Sequence, residues 1–140
     1  MVAFPIDIEA LIPHRDRMKL INEVLDVNAA AAVTSSLVSD RWPLLLGAFV
    51  DPVVLSEIVA QTAGVLISWE KGPDKGEGGA GWLGGVKDAD FFQDLIPLHT
   101  ELISTVKNMY SADGYSVLEG TVRTGTELLC RVQIQVFRSE

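Results

Sequence analysis

One stretch decides the fold: Asp51 to Trp69, which reads DPVVLSEIVAQTAGVLISW. Asp51 and Pro52 form a good helix start, because aspartate caps free N–H groups and proline is tolerated at the first helical position. The residues that follow are apolar on nearly every side, which is typical of a helix that is buried over most of its circumference. The sequence therefore predicts one long central helix enclosed by the rest of the chain.

The polar exceptions in this helix are not scattered. Glu57, Gln61, Gly64 and Ser68 recur at the spacings that place residues on one helix face. The apolar surroundings disfavour a charged Glu57, and a carboxyl that stays neutral suits a general acid. The alternative for Glu57 is a carboxylate that reaches solvent or pairs with an arginine. Gln61 would either orient Glu57 or a substrate oxygen, or bond to a strand backbone.

The sequence pattern changes to that of strands on both sides of the helix. A glycine-rich loop over residues 71–81 ends the helix, and the regular alternation over residues 128–136 is typical of a half-buried strand. After a short N-terminal helix, the sequence predicts strands over residues 24–27, 31–38, 82–86, 100–110, 115–123 and 128–136. This order favours an α+β fold in which one antiparallel sheet wraps around the helix.

Composition narrows the class of protein. The chain has 140 residues, which favours a single domain over residues 1–140. A net charge of −8 argues against a nucleic-acid binder, since such proteins carry an excess of Lys and Arg on one face. The single cysteine excludes an internal disulfide and a thiolate zinc site, so no metal is expected. No signal peptide or membrane span is recognisable, and we expect a cytoplasmic protein.

Four motifs follow one another along the chain. They are Ile12-Pro13-His14-Arg15, then EIVAQTAG over residues 57–64, LGGVKDADF over residues 83–91, and Ile96-Pro97. Together they resemble the 3-hydroxyacyl-[acyl-carrier-protein] dehydratases of the hotdog fold, including the acidic residue and glutamine of that family's central helix. The similarity extends from about residue 12 to residue 137 and implies a hotdog fold.

One segment departs from the pattern of this family. Where the family has histidine, phenylalanine, proline and glycine before the helix, this chain has Arg41-Trp42-Pro43-Leu44. The segment is closer to the divergent dehydratase-like proteins of aryl-polyene clusters, which lack the usual catalytic histidine. Arg41 cannot act as a base, because arginine does not deprotonate in proteins, but it could stabilise an oxyanion or bind a phosphate. Trp42 would line an acyl channel or belong to the core.

The resemblance implies a dehydratase site at the start of the central helix. It assigns Glu57 as the catalytic acid, as the helix pattern also does. His14 is the candidate base, and a structural role in the N-terminal turn is the alternative. The N–H groups of Val53 and Val54 would hold the thioester oxygen, because a helix N-terminus favours developing negative charge.

The resemblance also implies partners. Acyl carrier proteins are acidic and coenzyme A carries phosphates, so the basic run of Arg15, Arg17 and Lys19 could dock either one; the alternative is a solvated face. Gly84 and Gly85 of the third motif would contact the substrate. The family builds its sites between subunits, so we expect a homodimer, or a larger or mixed hotdog assembly, and no cofactor.

Three functions are consistent with these residues. The first is a dehydratase acting on 3-hydroxyacyl carrier proteins in fatty-acid or polyene-type biosynthesis. The second is a hotdog acyl-CoA thioesterase, which can use a single carboxylate to activate water. The third is a non-catalytic hotdog subunit that completes a partner's site. Outside the site, Cys130 is expected in the core and His99 at the surface.

Overall fold

The computed structural model describes residues 7–12, 15–71 and 81–138. Where a short N-terminal helix was expected, these ranges contain two short 3-10 helices, Ile8–Ala10 and Asp16–Met18. A single α-helix in the described ranges, α1, covers Val54–Lys71. The strands are β1 (Glu23–Val27), β2 (Ala31–Leu37), β3 (Leu45–Leu46), β4 (Phe49–Val50), β5 (Gly81–Phe91), β6 (Ile96–Pro97), β7 (Glu101–Ala112), β8 (Tyr115–Thr124) and β9 (Glu127–Arg138).

Six of the strands form one antiparallel sheet in the order β1-β2-β7-β8-β9-β5. Along β7, Leu102, Ser104 and Val106 are buried while their neighbours are more exposed, so the sheet has an inner and an outer face. The inner face packs against α1, which contacts β2, β7, β8 and β9. The predicted architecture, one antiparallel sheet around one long helix, is confirmed.

The helix lies close against the middle of the sheet. Leu55, Ile58 and Val59 are fully buried. At Gly120 of β8, a Cβ atom would lie only 2.3 Å from Cγ1 of Val59, so glycine allows this close approach. Cys130 is buried on the same inner face, as predicted, and its burial raises the pKa of the thiol to about 11. No helix in the described ranges has both the length and the apolar character needed to cross a bilayer.

A second, smaller sheet, which the sequence did not predict, leads into the helix. It consists of β3, β4 and β6, and Val50 of β4 pairs with Ile96 of β6. Val50 and Ile96 are buried, whereas Leu45, Leu46 and Phe49 are exposed. Because β4 ends one residue before Asp51, this small sheet fixes where α1 begins.

Candidate active site

Asp51 caps the start of α1. Its carboxylate Oδ1 accepts a hydrogen bond from the Val53 N–H at 2.9 Å, and its carbonyl oxygen accepts one from the Val54 N–H at 3.1 Å. These are the two donors that the sequence suggested for a thioester oxygen. Both are already used within the chain, so an incoming oxygen has to compete with Asp51 for them.

Gln61 connects Glu57 to the N-terminal segment. Its side chain is fully buried, and Oε1 accepts a hydrogen bond from the Leu20 N–H at 2.9 Å. Nε2 donates to the Met18 carbonyl and to Glu57 Oε1, the latter at 3.1 Å. Gln61 thus makes both contacts that the sequence left as alternatives, one to a backbone and one to Glu57. Glu57 itself is half-buried.

The rest of the polar stripe also faces the N-terminal segment. A Cβ atom on Gly64 would lie 3.1 Å from Cγ2 of Ile12, and Ser68 Oγ donates to the Leu11 carbonyl at 2.7 Å. Most of the stripe therefore contacts the N-terminal segment, at Leu11, Ile12, Met18 and Leu20, and is not an open ligand groove. Glu57, at the end nearest the helix start, is the member with a carboxylate and partial exposure.

A second polar network on α1 was missed by the sequence analysis. Thr62 Oγ1 lies 2.8 Å from the Ile58 carbonyl oxygen, 2.9 Å from Thr34 Oγ1 and 3.2 Å from Ser104 Oγ. Thr34, Thr62 and Ser104 are at most 1% exposed. The network is neutral and enclosed between α1, β2 and β7. The sequence signal for this network was the presence of the polar residues Thr34 and Ser104 at inward-facing positions of β2 and β7.

The segment before the helix keeps an unusual backbone. Trp42 is 5% exposed and belongs to the core, while the side chain of Arg41 is exposed. Leu44 adopts a left-handed conformation with φ of 61° and is 52% exposed. Its carbonyl oxygen accepts a hydrogen bond from the Asp51 N–H at 3.1 Å. The left-handed Leu44 is thus hydrogen-bonded to Asp51, the residue that caps α1.

Of the two histidines and two glycines that the sequence singled out, three lie in the described residues: His99, Gly84 and Gly85. His14 lies outside the described residues, and His99 is exposed in the turn before β7, as predicted. A Cβ atom on Gly84 would lie 2.3 Å from the ring of Phe137, so this glycine makes room for an aromatic side chain of the same chain. Gly85 has a φ of 150° at a shift in the β5–β9 register, and a Cβ atom there would meet no other atom within 4 Å.

Two members of the basic run near the N-terminus share the carboxylate of Glu9. Arg15 donates to the carbonyl oxygens of Ile12 and Glu9, both at 2.8 Å, and its Nε lies 3.1 Å from Glu9 Oε1. Lys19 Nζ lies 3.0 Å from Glu9 Oε2. The hydrogen bond from Lys19, together with the charges of Lys19 and Arg15, lowers the pKa of Glu9. The side chain of Arg17 lies outside the described part of the chain.

Comparison with known proteins identifies the family of the chain. The family model described as ApeP dehydratase matches residues 6–140. A FabZ 3-hydroxyacyl-[acyl-carrier-protein] dehydratase from Solibacter usitatus is 25% identical over 136 residues, which cover 90% of this chain and 83% of that protein. A second FabZ, from Colwellia psychrerythraea, is 26% identical over 140 residues, covering 90% of this chain and 93% of the relative.

Solved structures give the same fold. A chain of the dehydratase heterocomplex ApeI:P from Xenorhabdus doucetiae superposes with a TM-score of 0.82 at 19% identity, covering 99% of this chain and 93% of that one. A hypothetical thioesterase with coenzyme A from Streptococcus pneumoniae gives a TM-score of 0.67 at 12% identity and 84% coverage of both chains. The expected hotdog fold and the expected resemblance to hotdog dehydratases are thus confirmed. With a matching family model over nearly its whole length, the chain belongs to the ApeP-like dehydratase family.

Proposed function

We propose that the chain takes part in the dehydration of 3-hydroxyacyl thioesters carried on acyl carrier protein, with Glu57 as a proton-transferring group. The observation that carries this proposal is a half-buried carboxylate whose oxygen is held at 3.1 Å by the fully buried Gln61. The carboxylate is the acidic group in the first turn of a largely apolar helix. The names of the FabZ relatives supply the substrate class, and such a role would place the protein in the cytoplasm.

The reaction needs two proton transfers. A base removes the proton from C2, the C2–C3 double bond forms, and the C3 hydroxyl leaves as water after it gains a proton. Glu57, in its protonated form, would supply that proton. Gln61 is a positioning residue, because both hydrogens of its amide are used within the chain. The thioester oxygen would take the Val53 and Val54 N–H groups in place of Asp51.

The base is the part of the site that a second subunit could supply. His14 is the candidate within the chain. The similar ApeI:P structure is a heterocomplex of dehydratases, which makes a histidine from another hotdog chain an alternative. Exposed apolar side chains surround the helix start, and β5 is a free edge of the large sheet in the described part of the chain. Both features suit a homodimer or a mixed dimer. The exposed apolar side chains are Leu44, Leu45, Leu46, Phe49 and Val53.

The test is an assay of 3-hydroxyacyl carrier protein that measures both the enoyl product and free thiol. It is run on the chain alone and on its complex with a histidine-bearing hotdog chain. We expect enoyl formation and a loss of about 100-fold or more in Glu57→Gln, because acid–base groups contribute about that much. Glu23→Gln, an exposed carboxylate on β1, is the matched control and should retain the activity.

The assay also separates the competing functions. Free thiol without enoyl product would favour a thioesterase, which the fold similarity to the coenzyme A-bound thioesterase makes the second candidate. Activity that appears only in the complex, and that survives Glu57→Gln in this chain, would make the chain a non-catalytic subunit. Full activity of Glu57→Gln in every setting contradicts the proposed role of Glu57.

A further inference from the structure

The backbone N–H groups at the start of α1 are held in two different ways. Pro52 has no N–H, and the Val53 N–H donates to the Asp51 carboxylate at 2.9 Å. The N–H groups of residues 54–56 instead donate to carbonyl oxygens three residues earlier, at 2.9–3.1 Å. Val53 is therefore the residue of this turn whose N–H is released by the movement of one side chain, whereas the other N–H groups are released only if the backbone unwinds.

The backbone of Asp51 is fixed, but its side chain can rotate. The Asp51 N–H donates to the Leu44 carbonyl at 3.1 Å, its own carbonyl accepts from the Val54 N–H, and the preceding residue, Val50, is fully buried. The hydrogen bond between the Asp51 carboxylate and Val53 is exposed to solvent, and Val53 itself is 46% exposed. The carboxylate can therefore leave Val53 for water while the loop and the start of α1 stay in place.

The Asp51 carboxylate occupies the place from which a thioester oxygen would accept the Val53 hydrogen bond. Removal of the C2 proton puts negative charge on the thioester oxygen, and two negative oxygens at one donor repel each other. The repulsion is therefore stronger in the transition state than in the bound substrate, which is where it slows a reaction. A donor that is already occupied also gives the developing charge no stabilisation. Asp51 thus opposes the reaction for as long as it stays on Val53.

We infer that Asp51 is a positioning residue that controls access to the Val53 N–H, an inference that rests on the proposed function. The side chain keeps this donor occupied in the free chain and has to turn away before the thioester oxygen can bind there. Val53 lies four residues before Glu57, which is about one helical turn from the proposed proton donor. The rate of dehydration therefore depends on how easily the substrate displaces the Asp51 carboxylate.

The first test measures kcat and KM for a 3-hydroxyacyl carrier protein, with the chain alone and in its complex with a histidine-bearing hotdog chain. Asp51→Gly removes the carboxylate at little cost to the helix and should raise kcat about 10-fold or more, because one free oxyanion donor contributes at least that much. Asp51→Asn keeps the cap but removes the charge, so kcat should rise about 2-fold to 5-fold. The matched control is Asp40→Asn, an exposed carboxylate in the same loop, which should leave kcat unchanged.

The second test does not depend on turnover, because it follows the NMR signal of the Val53 amide in isotope-labelled protein. The probe is a 3-hydroxyacyl pantetheine in which an amide replaces the thioester. In Asp51→Gly the probe should shift the Val53 signal at a concentration about 3-fold lower than in the wild type, or lower still, since the donor is no longer occupied for most of the time. Asp40→Asn should respond to the probe as the wild type does.

The two tests separate a wrong role for Asp51 from a wrong function. An unchanged or lower kcat in both Asp51 variants, with a Val53 signal that the probe does not shift, overturns the inference while the wild type still forms enoyl product. A loss of about 100-fold or more in Asp51→Asn also overturns it, because the carboxylate would then be the base. If the proposed function is wrong, no variant forms enoyl product, and a Val53 shift at lower probe concentration in Asp51→Gly still supports the role of Asp51.

Discussion

The Glu57 carboxylate and the Thr62 hydroxyl lie little more than one turn apart on the same helix, yet their surroundings differ. Thr62 bonds Thr34 and Ser104 in a neutral network that is closed inside the core. Glu57 and Gln61 form a network that begins at buried backbone groups and ends at a partly exposed carboxylate. Closed polar networks stabilise a core, whereas one that reaches the surface with an ionisable group can also do chemistry.

The largest effect on stability is expected from Gln61→Leu, which breaks the open network at its buried end. The Leu20 N–H and the Met18 carbonyl lose their partner, so the free energy of unfolding should fall by about 2–4 kcal/mol. Dehydration should fall as well, because Glu57 is no longer positioned. Urea unfolding and the enoyl assay measure the two effects. Unchanged stability would mean that residues 18–20 are held by other contacts.

Thr62→Val tests the closed network with a side chain of almost the same shape. The hydroxyls of Thr34 and Ser104 then lack a partner in the core, which should cost about 1–3 kcal/mol of unfolding free energy. Urea unfolding measures that loss, and the rate of dehydration per folded molecule should stay the same. A drop in rate as large as that of Gln61→Leu would remove the distinction between the two networks.

Removing all three hydroxyls of the closed network should lower the unfolding free energy less than removing the Thr62 hydroxyl alone. In Thr34→Val/Thr62→Val/Ser104→Ala no buried hydroxyl of this cluster is left without a partner, so the stability should return to within about 1 kcal/mol of the wild type. The comparison of single and triple variants in urea is a direct measure of the penalty for an unpaired group. A triple variant weaker than Thr62→Val would mean that the hydroxyls contribute net stability.

The smallest effect on stability is expected from a change in pH. It tests whether water is excluded from the core around Cys130. Burial raises the pKa of the Cys130 thiol to about 11 from an ordinary value of 9.0. The unfolded chain therefore ionises first, so this contribution to stability is complete below pH 9 and is lost as the pH rises towards about 11. Urea midpoints between pH 7.5 and 10.5 should fall more steeply in the wild type than in Cys130→Ala. Parallel curves would mean that the thiol is accessible to water.

Local pattern was enough to predict the long helix and the long strands of the large sheet. Asp51 caps the helix as expected, and the alternation over residues 128–136 correctly predicted a strand with one buried face. The small sheet was missed because strands of two residues have no visible period. The Thr62 network was missed because its partners lie 28 and 42 residues away in sequence. The competition between Asp51 and a thioester oxygen for the Val53 and Val54 N–H groups follows from the predicted cap, because an aspartate cap occupies N–H groups of the first turn.

The left-handed backbone of Leu44 determines which substitutions the loop before α1 can accept. A left-handed backbone costs a residue with a Cβ atom roughly 1–2 kcal/mol, yet the chain holds Leu44 at a φ of 61°. The loop at Leu44 therefore already follows a path that a glycine adopts at low cost. Leu44→Gly should for that reason be tolerated without a change in the course of the loop. Arg41→His can be combined with it to introduce an imidazole before the start of α1.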